Sequence, residues 1–107
     1  MPTHDALQRE IVRRILAVLP QAQTILLFGS QARGDARPDS DFDIVVVTPS
    51  VPSSGPRTVA LQLALRGLGV GFDLVVLTPQ EWHSARQRPG TVAADAAREG
   101  RVLHEAA

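Results

Sequence analysis

The chain has no cysteine, no lysine, no tyrosine and no asparagine. Without cysteine there is no disulfide framework, no thiolate nucleophile and no thiolate metal site. Without lysine, neither a P-loop lysine nor a Schiff-base lysine is available. Excess charge of either sign is also missing: eleven Arg face eleven Asp and Glu, for a formal net charge of zero. That balance argues against a protein that grips duplex DNA or an anionic membrane mainly through charge. No apolar run approaches the roughly 20 residues of a membrane span. The opening MPTHDALQRE carries acids where a signal peptide would place an apolar segment. A soluble, cytoplasmic protein with no membrane partner and no direct nucleic-acid partner is expected.

What is present fits one domain over residues 1–107. Hydrophobic residues are 44% and charged residues 21%, too apolar for disorder and enough for one core. Leu7, Ile11, Ile15, Val18 and Leu19 recur with a helical period, after Thr3 as a cap and before Pro20. Thr24 to Phe28 reads as a buried strand stopping at Gly29-Ser30. A short helix or turn and then a loop follow over 31–39. Asp41 to Thr48 is a second strand, and 49–56 (PSVPSSGP) is a linker. A helix over 57–68 is expected from Val59, Leu61, Leu63, Leu65 and Leu68, with Gly67, Gly69 and Gly71 breaking it. Phe72 to Thr78 is a third strand. Helices around 80–86 and over 91–99 follow, then a small edge strand at Val102-Leu103.

One echo organises this reading. FDIVVVTP at 42–49 returns as FDLVVLTP at 72–79, thirty positions later. Strand, helix and strand over that spacing is a βαβ unit, so the two strands are expected to be parallel neighbours. Asp41 and Asp43 lie two apart and project from one strand face, opposite Phe42. Two carboxylates so placed repel each other, and a divalent cation relieves the repulsion; magnesium suits oxygen donors and leaves positions for phosphates. The echo puts Asp73 at the place equivalent to Asp43. For Gly29-Ser30 to reach the same sheet end, the first strand must run antiparallel to the second, giving a mixed sheet. A Gly-Ser turn entering a helix can offer N–H groups and a hydroxyl to a phosphate. Phosphate grip and carboxylate cluster together suggest metal-assisted phosphoryl or nucleotidyl transfer. Asp41 and Asp43 would bridge two metals, and Asp73 would hold the one beside the attacking hydroxyl. Gly29 and Ser30 would hold phosphates. Arg33 is expected either on the leaving pyrophosphate or in a salt bridge to Asp35 and Asp39.

Gly29-Ser30, ten residues, then Asp41-Phe42-Asp43 resembles the GS-x10-DxD motif of the DNA polymerase beta nucleotidyltransferase superfamily. The fuller string GSQARGDARPDSDFDI is similar to its minimal nucleotidyltransferase (MNT) branch, as is the closing REGRVLHE. The resemblance implies an α/β fold with a mixed sheet of three or four strands and flanking helices. It implies ATP as substrate, two Mg2+ ions, and a HEPN-type toxin encoded nearby as partner. The MNT protein would act as antitoxin by placing AMP on a tyrosine of that toxin. Having no tyrosine, this chain would need its acceptor in another molecule. Where the family often has tyrosine in its closing segment, His104 stands here.

Two other classes compete. The chain could mask its partner without catalysis, or adenylylate a small-molecule hydroxyl, which in larger relatives takes an additional domain and here would need a homo-oligomer to supply the pocket. Other motifs fail: Asp39, Asp41 and Asp43 open like a calcium loop, but Ile44 and Ser50 stand where Gly and Glu are needed. Gly29 to Gly34 lacks the P-loop Lys. Ser30 has no GxSxG context. His4, His83 and His104 show no ligand spacing, and Trp82 is expected to pack the helix after the third strand.

Overall fold

Runs rich in Val, Ile, Leu and Phe supply the strands of a single sheet, because β-branched and aromatic side chains suit a pleated, buried surface. The computed structural model describes residues 4–37, 40–52 and 55–106; Thr3, expected to cap the first helix, lies outside them. In chain order the elements are α1 (His4–Val18), β1 (Thr24–Phe28), α2 (Ser30–Arg33), β2 (Phe42–Val47), α3 (Val59–Ala64), β3 (Phe72–Leu77), α4 (Pro79–Ala85), α5 (Val92–Glu99) and β4 (Arg101–Glu105). The sheet order is β3-β2-β1-β4. β1 is antiparallel to β2 and to β4, whereas β2 and β3 are parallel. This is the mixed α/β sheet expected, and the fourth strand is longer than its two apolar residues suggest. It pairs with β1 from Thr24 opposite Glu105 to Leu27 opposite Arg101, with a register shift between Ile25 and Leu26.

Strand alternation sorts the side chains to two faces. Ile25, Leu27, Ile44, Val46, Leu74 and Val76 meet Ile11 and Ile15 of α1 and Leu61 and Leu65 of α3 in the larger core. The i, i+4 spacing of each helical pair places both side chains on one stripe. α3 is shorter than the span of 57–68 expected. Leu61 and Leu65 are buried, but Val59 and Leu63 are 50% and 57% exposed, so the alternating apolar residues there do not form one helical face. Arg14 closes this helix from α1: its Nη1 donates to the carbonyls of Ala64 (3.2 Å) and Arg66 (3.0 Å), groups that a helix end leaves without partners.

On the other face, Leu26, Val45 and Val47 pack with Ala96 of α5, joined by the partly buried Phe28, Val75, Leu77 and Trp82. α4 starts with a capping box in which Glu81 N–H donates to Thr78 Oγ1 (3.1 Å) and Thr78 N–H donates to Glu81 Oε1 (2.9 Å). Arg57 anchors the end of the linker to it, donating to Glu81 Oε1 at 2.6 Å and to the Val76 carbonyl at 3.2 Å. α5 is capped by Thr91, whose Oγ1 accepts from Ala94 N–H at 3.0 Å. Gly100 then lets the chain pass straight into β4, since a Cβ there would overlap the Ala96 carbonyl and press on that of Leu27.

Candidate active site

The repeated Phe-Asp pair is the seed of the site. Phe42 and Phe72 are register partners, and their rings lie 6.0 Å apart at 57°. Phe42 is buried in the larger core with Phe72 packed against it. Alternation then sends the next residue of each strand to the opposite face. Asp43 and Asp73 are the next register pair, as the echo requires. Across the antiparallel side, Asp43 is the partner of Phe28, the last residue of β1. The chain turns there at Gly29, with φ 72° and ψ −155°. This conformation favours glycine. Space demands it as well, because a Cβ at Gly29 would overlap Asp43 Oδ2 and stand 3.2 Å from its Cγ. The Gly29 carbonyl accepts from Ala32 N–H (3.1 Å) and Arg33 N–H (3.0 Å), opening α2 at Ser30. Asp41, just before β2, has its carboxylate against Gly71, just before β3. One sheet end therefore gathers Gly29, Ser30, Asp41, Asp43 and Asp73.

Arg33 is the cation nearest this group in effect. The Asp43 carboxyl is pushed up from its ordinary range by burial first, then by the charges of Asp73 and Asp41, and Arg33 partly offsets the push. Arg33 itself donates from Nε to Asp35 Oδ2 (3.3 Å) and from Nη1 to Glu99 Oε2 (3.2 Å). The expected salt bridge to Asp35 is present; the expected one to Asp39 falls on a residue outside those described. Glu99, sixty-six positions away, was not legible as a partner. Exposed pairs of this kind are screened by water and hold weakly, so they tether Arg33 without preventing it from turning toward an anion.

The donor set fits a hard divalent cation. All three donors are carboxylates, they repel one another, and the glycine beside each of Asp41 and Asp43 leaves the space a side chain would fill. Among the described residues, no three His, Asp or Glu are arranged as a ready metal site, so the fit is one of donor chemistry. Among the described side chains, two imidazoles stand apart from this chemistry: His83 contacts Arg86 and Gln87, and His104 lies on β4 opposite Ile25. Trp82 packs on the smaller core with Arg86 over its ring, 5.9 Å from the centroid. Sequence spacing missed Gly71, which reads only as one of three helix-breaking glycines.

Known proteins resemble this chain in sequence family and in fold. The family of nucleotidyltransferase domains matches over residues 8–88. No functionally curated protein matches the sequence. Among solved structures, a toxin–antitoxin complex crystallised with AMP-PNP is similar at TM-score 0.70 and 24% identity, over 92% of this chain and 73% of that one. A Sulfolobus solfataricus protein described as a nucleotidyltransferase is similar at TM-score 0.63 and 24% identity, covering 92% and 78%. A complex of a tri-AMPylated Shewanella oneidensis HEPN toxin with its MNT antitoxin is similar at TM-score 0.60 and 22% identity, covering 94% and 71%. Among the described residues no helix is long and apolar enough to cross a membrane. The chain belongs to the nucleotidyltransferase domain family, with the fold found in MNT antitoxin–HEPN toxin complexes.

Proposed function

We propose that the protein is a cytoplasmic antitoxin that transfers AMP from ATP to a tyrosine hydroxyl of a HEPN-type toxin, using magnesium. The observation that carries this is the register of β2 and β3, which sets Asp73 beside Asp43 at the sheet end where Gly29 turns. Asp41, Asp43 and Asp73 would hold the ions, two in number. Bound magnesium supplies charge neutralisation on the attacking and leaving oxygens of an in-line displacement. Gly29 and Ser30 let the backbone come close to the β- and γ-phosphates. Asp73, the more exposed of the register pair, accepts the proton of the incoming hydroxyl. That hydroxyl attacks the α-phosphorus, the bond to the β-phosphate oxygen breaks, and pyrophosphate departs toward Arg33. The AMPylated state of the HEPN toxin in the Shewanella complex supports a HEPN-type partner as acceptor.

Incubation with α-labelled ATP and Mg2+, with and without the product of the neighbouring gene, tests this. Label on the neighbour, lost with Asp41→Asn, is the expected result. A stable complex that never takes up label would sink the catalytic reading and leave a protein that masks its partner.

A further inference from the structure

We propose that Gly71 is a positioning residue for Asp41: the side chain it lacks is what lets the Asp41 carboxylate stand where it meets the cation. The inference deepens the proposed function and rests on Asp41 being a cation ligand. Two observations carry it. Phe42 N–H donates to the Gly71 carbonyl at 3.0 Å, so the backbone following Asp41 is tied to residue 71 before the Phe42–Phe72 register begins. In addition, a Cβ at Gly71 would overlap Asp41 Oδ1 and stand 3.0 Å from its Cγ and 3.4 Å from Oδ2.

The atoms met belong to the end of an exposed side chain, not to backbone. Alanine would therefore move the carboxylate and leave the strands in place. Nor would alanine strain the chain, because Gly71, unlike Gly29, does not have positive φ. The two glycines form a matched pair around the Asp-Phe-Asp segment. Gly29 follows β1 and backs Asp43; Gly71 precedes β3 and backs Asp41. Since β2 lies between β1 and β3, each carboxylate of the segment has room provided by a different neighbour. Only the first of these glycines sits in the Gly-Ser motif.

The test compares Gly71→Ala, Asp41→Asn and the double variant, reading Mn2+ affinity by electron paramagnetic resonance, melting temperature, and AMP transfer. Groups that orient a metal ligand typically change metal affinity by about 10- to 100-fold when altered. Gly71→Ala is expected to weaken Mn2+ about tenfold and reduce transfer, with a melting temperature within about 3 °C of the parent. In the Asp41→Asn background the same change is expected to do nothing further to Mn2+ binding, because its target is already lost. Unchanged Mn2+ affinity in Gly71→Ala, or an equal loss in both backgrounds, overturns the inference. So does a Gly71→Ala protein that fails to fold, since the methyl would then be displacing more than a side chain. If Asp41→Asn itself binds Mn2+ as the parent does, the ligand reading of Asp41 fails first, and the inference falls with it.

Discussion

The two faces of the sheet divide the protein's labour. Among the described residues, twelve that are buried form the larger core toward α1 and α3, and four, Leu26, Val45, Val47 and Ala96, are buried in the smaller one toward α4 and α5. β2 carries both faces within six residues. Ile44 and Val46 enter the larger core, while Asp43 opens the other face ahead of Val45 and Val47. Apolar burial on one side drives folding at about 25 cal/mol per Å2. With that secured, the thinly covered side can hold groups that gain nothing for the fold, including carboxylates that repel one another. The half-buried Asp43, with its raised carboxyl pKa, shows that cost where a cation would remove it.

The largest effect expected separates these labours directly. Asp43→Asn removes one charge from the repelling set and one oxygen donor from the cation. Transfer of labelled AMP should fall by at least about a thousandfold, since a metal's stabilisation of transition-state charge is worth several kcal/mol and each decade is about 1.4 kcal/mol. The metal-free melting temperature should stay level or rise. A clear fall in melting temperature would mean that the thin face carries the fold as well, and the division would be wrong. On the thick face the effects reverse. Ile44→Ala should cost about 2–5 kcal/mol in urea unfolding, whereas Val92→Ala, at a position 44% exposed on α5, should stay within about 0.5 kcal/mol.

The same division explains what could be read from sequence. Strand runs such as TILLF and the two FD-Val-Val segments are local patterns, so their spans were legible to within a residue or two. The echo also points to the register, because like pairs with like: the Phe-in, Asp-out alternation sets the partly buried Phe72 against the buried Phe42 and Asp73 beside Asp43. The candidate site residues Asp41, Asp43 and Asp73 follow from that register, and Gly29 from the antiparallel first strand. Contacts across long separations were not legible. No spacing rule connects Arg33 with Glu99, or tells which of Gly67, Gly69 and Gly71 will meet a carboxylate thirty residues earlier. α3 was overdrawn for a different reason. Its apolar residues alternate, and only the fold decides that Leu61 and Leu65 turn inward while Val59 and Leu63 do not.

A smaller effect is expected at the rim of the thick face. Arg14→Gln withdraws the guanidinium that caps the end of α3 and also meets Glu10 at 2.8 Å. Loss of a hydrogen bond of this kind costs about 1 kcal/mol. Transfer activity should be unaffected, because nothing in this contact reaches the sheet end with the aspartates. A drop in transfer that outruns the drop in stability would show that the two faces are coupled through α3.

The smallest effect tests whether the faces differ in acid. Each has one carboxyl drawn from 4.5 to about 2: Glu10 on α1, by its hydrogen bonds to Arg13 and Arg14, and Glu81 on α4, by Arg57 and then the Thr78 backbone. A depressed folded-state value means that the stabilisation is complete above the unfolded value of 4.5 and is lost as pH falls toward about 2. Both pairs are open to solvent, so the decline should be shallow and should shrink further in high salt. Glu81→Gln and Glu10→Gln should each flatten part of the fall in melting temperature over that window, and neither should alter stability's pH dependence near neutrality. Glu81 also belongs to the capping box of α4, so its removal should be felt more than that of Glu10. If Glu10→Gln flattened the curve more, the acid sensitivity of the fold would lie with the thick face and its α1–α3 contact instead of with the cap beneath the thin one.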